Sequence, residues 1–534
     1  MRSPNRPQIS SCPQGWPALR VPCRRKTAKG WRRCGLYTPF RFKSPVPREL
    51  AGARFRTIQG LPQANRVRRR SNPMDRIAIS FNSLAISSPE NLVYGISPHP
   101  LSCGLGLTIG AGKVFPEVNF TLPPMNMTPE TWPQVVAHYE EMGAQIVRRA
   151  LSLHVPGLVL EFELLPPMTD CPEWGAELTA ILKRHLVEAH QKHGLASALR
   201  VTPTDIRDQQ KPPLMRTGDP WKRLERSFNL CADAGADILS IESIGGKEVH
   251  DQALMYGDFP GIVFALGVLA PRDMSWLWGQ IGSICAAHPG VVSGGDSACG
   301  FANTAMQLAH QKMLPEVLAA VVRAMSSVRS LAAFEQGAVG PSKDCAYEGP
   351  VIKAITGRPI SMEGKSATCA HFSPLGNIAA AMCDLWSNES VQNVRLLSGN
   401  APEAFTELLA YDCRLMNSAA ERGGALQLRD WMTASDEWLS PQAAVLSPQA
   451  TLRIASAIVA ADTPYHRVLA AGRAAVDLLN EGAAAGKLTL SRKEQQWLSR
   501  IDEALDSLPA DEAALLAELE PQYGALYDKP SYGL

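Results

Sequence analysis

The chain has 534 residues, 45% of them hydrophobic, which is enough for a large core and too many for one small domain. Its formal net charge of +2 conceals two oppositely charged parts: residues 1–73 carry 18 Lys and Arg against Glu49 alone, and the remaining 35 basic and 50 acidic side chains leave the rest at −15. Twelve Cys without a CxxC pair exclude a small disulfide framework, and the longest strongly apolar run, around residues 261–270, is well short of the roughly 20 residues that span a bilayer, so a reducing, cytoplasmic setting without membrane insertion is expected.

Residues 1–73 are rich in Pro, Arg and Ser, lack periodicity, and read as a disordered basic tail. A nucleic-acid arm, an organelle transit peptide and a zinc site from Cys12, Cys23 and Cys34 are its functional readings. The composition changes abruptly at Met74, which favours a start there, with the tail outside the native protein and nucleic acid disfavoured as a partner.

After Met74 comes mixed strand and loop sequence. The glycine-rich run at 104–112 has neither GxGxxG spacing nor a P-loop ending, so nucleotide binding is not expected. Thr128-Pro129 opens a helix that runs to Gly143, followed by strands at 145–149 and 158–162. A helix over 173–193 stops at Gly194. Then follow a strand at 199–202, a helix over 221–234, a strand at 236–241 ending in Glu242, and a helix over 247–256. The alternation continues with a strand at 262–266, a helix over 273–287, a strand at 291–293, helical sequence over 303–328, and strands at 331–334 and 360–362. About eight short apolar strands alternating with helices predict an α/β fold, a (β/α)8 TIM-type barrel over residues 74–375, with an open doubly wound sheet as the alternative. Beyond residue 375 strands are expected to cease, and 376–534 reads as Ala- and Leu-rich helices packed on the barrel.

Three residues follow short apolar runs within Gly-rich loops: Glu242 before Ser243-Ile244-Gly245-Gly246, Cys299 in Gly294-Gly295-Asp296-Ser297-Ala298-Cys299-Gly300, and Cys345 in Gly337-Ala338-Val339-Gly340-Pro341-Ser342-Lys343-Asp344-Cys345-Ala346-Tyr347. In a barrel, residues that follow strands share the rim where active sites occur. One carboxylate and two thiolates hold zinc with a fourth position open, the arrangement of a catalytic site. On spacing alone the signal is weak, because a buried cysteine is more often a small apolar core residue. Core packing is also the better reading of Cys231, Cys285 and the Cys369, His371 and Cys383 group. His185, His190 and His193 lie among Lys183, Arg184, Glu188 and Lys192 and read as a solvated helix face.

The runs Ile241-Glu242-Ser243, Gly295-Asp296-Ser297-Ala298-Cys299-Gly300-Phe301, Lys343-Asp344-Cys345-Ala346-Tyr347-Glu348-Gly349-Pro350 and Asp384-Leu385-Trp386-Ser387-Asn388-Glu389-Ser390-Val391-Gln392-Asn393 resemble those of the zinc subunit of methanol:corrinoid (methanol:cobalamin) methyltransferases, the MtaB family. The resemblance covers residues 74 to about 420 and continues more weakly to the end; the tail has no counterpart. It implies a (β/α)8 barrel with one zinc ion held by one Glu and two Cys, which carry over to Glu242, Cys299 and Cys345. It also implies a separate corrinoid-binding subunit in a heterooligomer, and no corrinoid-binding DxHxxG run occurs in this chain. The implied reaction moves the methyl group of methanol to cob(I)alamin, with hydroxide leaving.

A zinc ion bound by two thiolates and a carboxylate carries a net charge near −1, which weakens its acidity. A proton donor is therefore expected, with Asp296, Lys343 and His371 as candidates, while Phe301 and Tyr347 either shape a small dry pocket or pack in the core. The alternatives keep the zinc barrel with another methyl donor, such as a methoxylated compound or a methylated amine, or make it a non-catalytic zinc-binding subunit.

Overall fold

Polar residues at alternate positions of otherwise apolar strands run through the centre of the fold. The computed structural model describes residues 79–122, 125–343, 347–364, 375–391, 395–396 and 399–534; the basic tail, Cys345, Cys369 and His371 lie outside them. A hairpin of β1 (Ile96–Cys103) and β2 (Leu107–Ala111) comes first, so the glycine-rich run at 104–112 forms its turn and second strand. Among the described residues, one parallel sheet then collects β3 (Phe115–Thr121), β4 (Leu158–Glu163), β5 (Ser197–Thr202), β6 (Ile238–Leu239), β7 (Val292–Ser293), β8 (Ser361–Glu363) and β9 (Leu385–Val391), in the order β7-β6-β5-β4-β3-β9-β8.

The edges of this sheet are not bare. Val339 N donates to Ser293 O at 3.0 Å, Gly295 N donates to Pro341 O at 3.0 Å, and Ser342 bridges Ile360 in parallel. Residues 339–342 thus touch β7 and Ile360, the residue just before β8. The fold is mixed α/β, with a curled parallel sheet wrapped by helices.

Several expected strands are helical. Residues 145–149 continue helix Trp132–Ser152, whose buried face (Val135, Tyr139, Met142, Ile146 and Ala150) keeps the helical period through Gly143. That glycine is no stop signal: a Cβ on it would lie 2.8 Å from Leu182 Cδ2 of the neighbouring helix. Residues 262–266 belong to helix Phe259–Phe264 and the wide helical turn Ala265–Leu269, and residues 331–334 end helix Glu316–Glu335. All of these side chains are buried, so the run is apolar on every face and periodicity cannot separate helix from strand. The helix expected over 303–328 is two, Thr304–His310 and Glu316–Glu335, separated by Lys312 at φ 63 and by Pro315.

Strands do not cease at residue 375. β9 pairs with β3 from Phe115↔Leu385 to Thr121↔Val391 and with β8 through Glu363↔Ser387, so it sits inside the sheet. Beyond it, helix Ala401–Glu421 packs on β3 and β9, and helix Pro464–Ala484 packs along Glu316–Glu335. Among the described residues Glu316–Glu335 is also the one helix long and apolar enough to cross a membrane, and its apolar stretch is entirely buried within the fold.

Candidate active site

The site begins with the polar residues of the strands. Adjacent strands pair Asn119 with Glu161, Glu161 with Arg200 and Glu163 with Thr202. Arg200 Nε donates to Glu117 Oε1 at 2.9 Å, and its Nη1 donates to Ser240 Oγ at 3.2 Å and Pro341 O at 3.1 Å. Glu117 also accepts from Ser361 Oγ. Glu117, Glu161, Arg200 and Glu363 are fully buried, so the inner face carries charges that only mutual pairing makes tolerable.

Sequence reading missed this layer, because strands with polar alternate positions look like half-exposed strands or loops. The signal was Glu117-x-Asn119, Glu161-x-Glu163 and Arg200-x-Thr202, with apolar residues between.

Glu242 lies three residues beyond β6, with its side chain 32% exposed. Its loop is held tightly. A Cβ on Gly245 would lie 2.2 Å from Asp273 Cβ, so only glycine permits this approach. Asp273 and Asp205 bracket the buried Arg207, at 2.8 and 2.7 Å, and Asp205 Oδ2 accepts from Ile244 N at 3.1 Å. At the far end of the loop, Gly246 N donates to Tyr532 Oη at 2.9 Å, so the last residues of the chain pin it.

Cys299 opens a wide helical turn, Cys299–Asn303, which leads into helix Thr304–His310. It is half-buried, and Asn303 Nδ2 donates to its Sγ at 3.5 Å. Ahead of it, Ala298 N donates to Glu348 Oε1 at 2.7 Å, and Ser330 Oγ donates to the same oxygen at 2.7 Å. Burial raises the Glu348 carboxyl above the usual carboxylate range. Asp296 is fully buried and accepts from Arg329 Nη2 at 2.6 Å and Ser243 Oγ at 3.1 Å. Burial pushes its carboxyl up to about 7 against the pull of Arg329, with the Glu242 charge adding to the rise.

Lys343, two residues before Cys345, is fully buried. Its Nζ contacts Glu163, lies 3.3 Å from Glu161 Oε1 and lies 3.5 Å from Glu242 Oε1. The segment leading into Cys345 therefore reaches the Glu242 carboxylate, while Cys345 itself lies outside the described residues. Among the described residues, no group of three or more His, Cys, Asp and Glu has the geometry of a metal site.

Beside Glu242 is a cavity of about 240 Å³ whose lining includes Glu163, Thr202, Asp205, Ser243, Lys247 and Gly300. Most of its lining side chains are polar or charged. Phe301 packs under Arg329, at 4.5 Å, and beside His250, while Tyr347 lies against Arg323; both rings are buried and neither lines the chamber. The other sequence candidates lie elsewhere. His185 faces Glu140 at 3.1 Å, His190 Nδ1 lies 3.0 Å from Leu195 O, Cys231 and Cys383 are buried, and Cys285 is half-buried in helix Ala270–Ala287.

Glu242 and the buried Lys343 meet beyond the ends of parallel strands, beside a chamber that Gly300, the residue after Cys299, also lines; this is where α/β enzymes carry their active sites. Residues 78–533 match the methanol-cobalamin methyltransferase B subunit family. The chain is 39% identical over 435 residues to the methanol–corrinoid protein co-methyltransferase of Methanosarcina barkeri (strain Fusaro / DSM 804), covering 81% of this chain and 93% of that protein. It also superposes on a chain in the crystal structure of the methanol:cobalamin methyltransferase complex MtaBC from Methanosarcina barkeri. There the TM-score is 0.81 at 36% identity, over 85% of this chain and 99% of that one. The chain belongs to the methanol-cobalamin methyltransferase B subunit family.

Proposed function

We propose that this protein is the methanol-activating subunit of a corrinoid-dependent methyltransferase, which passes the methyl group of methanol to the cob(I)alamin of a separate partner protein. Family membership supports the substrate and the partner. The observation that carries the site is the 3.5 Å approach of Lys343 to Glu242, because it joins the loop of the proposed carboxylate ligand to the segment entering Cys345. On this reading one zinc ion is held by Glu242, Cys299 and Cys345. The described donors fit it: a carboxylate and a half-buried thiol follow neighbouring strands, and both donor types are zinc ligands. Bound there, zinc would supply Lewis acidity toward the oxygen of methanol, whose carbon–oxygen bond breaks with hydroxide leaving.

The chain's own residues do the rest. Lys343 neutralises part of the Glu161, Glu163 and Glu242 cluster and holds the Glu242 carboxylate in place. Asn303 donates toward the Cys299 sulfur and fixes its direction. The chamber exceeds what a one-carbon alcohol fills, which leaves room for the second reactant to approach the methyl carbon. Residues 339–342, hydrogen-bonded to β7 and bridged to Ile360 just before β8, serve as the eighth strand of a closed (β/α)8 barrel, and the helices after β9 pack around it.

The test follows cob(I)alamin absorbance after addition of methanol to zinc-loaded protein. Methylcobalamin should form, and Glu242→Gln, Cys299→Ala and Cys345→Ala should each slow it by at least about 100-fold. Stoichiometric zinc without methylation, with the corrinoid partner supplied, overturns the substrate assignment.

A further inference from the structure

We propose that Arg329 is a positioning residue that holds the Glu242 and Cys299 loops in register for the metal; this rests on the ligand reading above. Arg329 comes from helix Glu316–Glu335, whose other residues facing the core are almost all apolar or small, and it is fully buried. Its Nη2 donates to Ser243 Oγ at 2.6 Å, Ser243 O at 3.2 Å and Asp296 Oδ2 at 2.6 Å, and its Nη1 donates to Ser297 O at 3.1 Å. Ser243 follows Glu242 directly, and Ser297 precedes Cys299 by two residues. One guanidinium therefore spans the loops after β6 and β7, and the ring of Phe301 beneath it, at 4.5 Å, sets the plane of the fork.

The choice of residue is informative. A buried ion pair is weak evidence for stability, since apolar residues of similar volume often serve as well or better. What an apolar side chain cannot do is tie two separate loops through a planar fork of donors. A lysine, with one compact ammonium, cannot reach both carbonyls and the carboxylate in the same geometry. Arg329 is not among the residues that line the chamber and acts through Ser243, Asp296 and Ser297.

The test measures zinc affinity of the full chain by competition with a chromophoric chelator, beside thermal unfolding of the metal-free protein and methanol kinetics. Arg329→Lys and Arg329→Met should bind zinc about 10–100-fold more weakly, the usual cost of removing a group that orients metal ligands. Methylation should recover in part when zinc is raised to saturation, with KM for methanol little changed. Ser243→Ala removes one acceptor without stranding a charge, so it should weaken zinc in the same direction by less and keeps the test open if the arginine variants fail to fold. Lowered thermal stability with unchanged zinc affinity in the folded variants, Ser243→Ala included, overturns the proposal alone. Wild-type protein that takes up no zinc overturns the ligand reading and this inference with it.

Discussion

Lys343 Nζ lies 3.5 Å from Glu242 Oε1, so the segment that leads into Cys345 and the loop that follows β6 meet through one fully buried ammonium. The same ammonium contacts Glu161 and Glu163, which makes it the counter-charge of three carboxylates. Lys343→Met leaves the buried Glu161 with only Arg200, whose Nε lies 3.9 Å away, and should destabilise metal-free protein by about 3–5 kcal/mol. Because a bound cation replaces part of the missing charge, zinc should raise the melting temperature of the variant more than that of wild type. Equal zinc-induced shifts in the two proteins would remove Lys343 from the site.

The thiols should separate by environment. Burial pushes Cys103 up to about 12 and Cys231 up to about 11, and it raises Cys383 and Cys413 as well. At pH 8 each is almost entirely the unreactive thiol. Iodoacetamide followed by peptide mass mapping should therefore modify half-buried Cys299 in chelator-treated native protein, spare it in zinc-loaded protein, and leave those four untouched in both. Zinc-independent labelling of Cys299 would count against its role as a ligand.

Tyr532 accepts the amide of Gly246 at 2.9 Å, and Ser531 Oγ accepts that of Met215 at 3.2 Å, so the end of the chain supports the Glu242 loop from behind. Tyr532→Phe strands a buried donor and should cost about 1–3 kcal/mol in chemical denaturation. The lost support should also raise the zinc dissociation constant by a few-fold, and a variant as stable as wild type would show that the contact is dispensable.

Arg200 links Glu117, Ser240 and Pro341 across the inside of the sheet. Arg200→Met removes the cation paired with the buried Glu117 and should lower stability by about 3–5 kcal/mol. The paired change Arg200→Met with Glu117→Gln should recover part of that loss, and a double-mutant cycle in denaturant reads the coupling.

The alternation of helix and parallel strand was legible wherever turn chemistry and period agreed, as in the helix that ends at Gly194 and in β4 and β5. It failed where a segment is buried on all sides, because residues 262–266 and 331–334 are apolar in every direction and carry no period. It failed in the opposite way at β3 and β9, whose inward positions hold Glu117, Asn119 and Ser387. A curled sheet whose inner face carries charges inverts the rule that strands are apolar inside. Glu242 and Cys299 could be singled out from their glycine-rich loops, whereas Arg329 could not. It sits in an apolar helix that reads as core, and its partners are known only once the loops after β6 and β7 are seen to converge on it.

Zinc K-edge X-ray absorption on the purified, zinc-loaded chain, with metal content measured in parallel, tests the proposed ligand set most directly. One zinc per chain is expected, with two sulfur neighbours near 2.3 Å and the remainder oxygen or nitrogen near 2.0 Å, and Cys299→Ala should remove one sulfur. Four sulfurs, none, or a spectrum unchanged by Cys299→Ala would contradict the account.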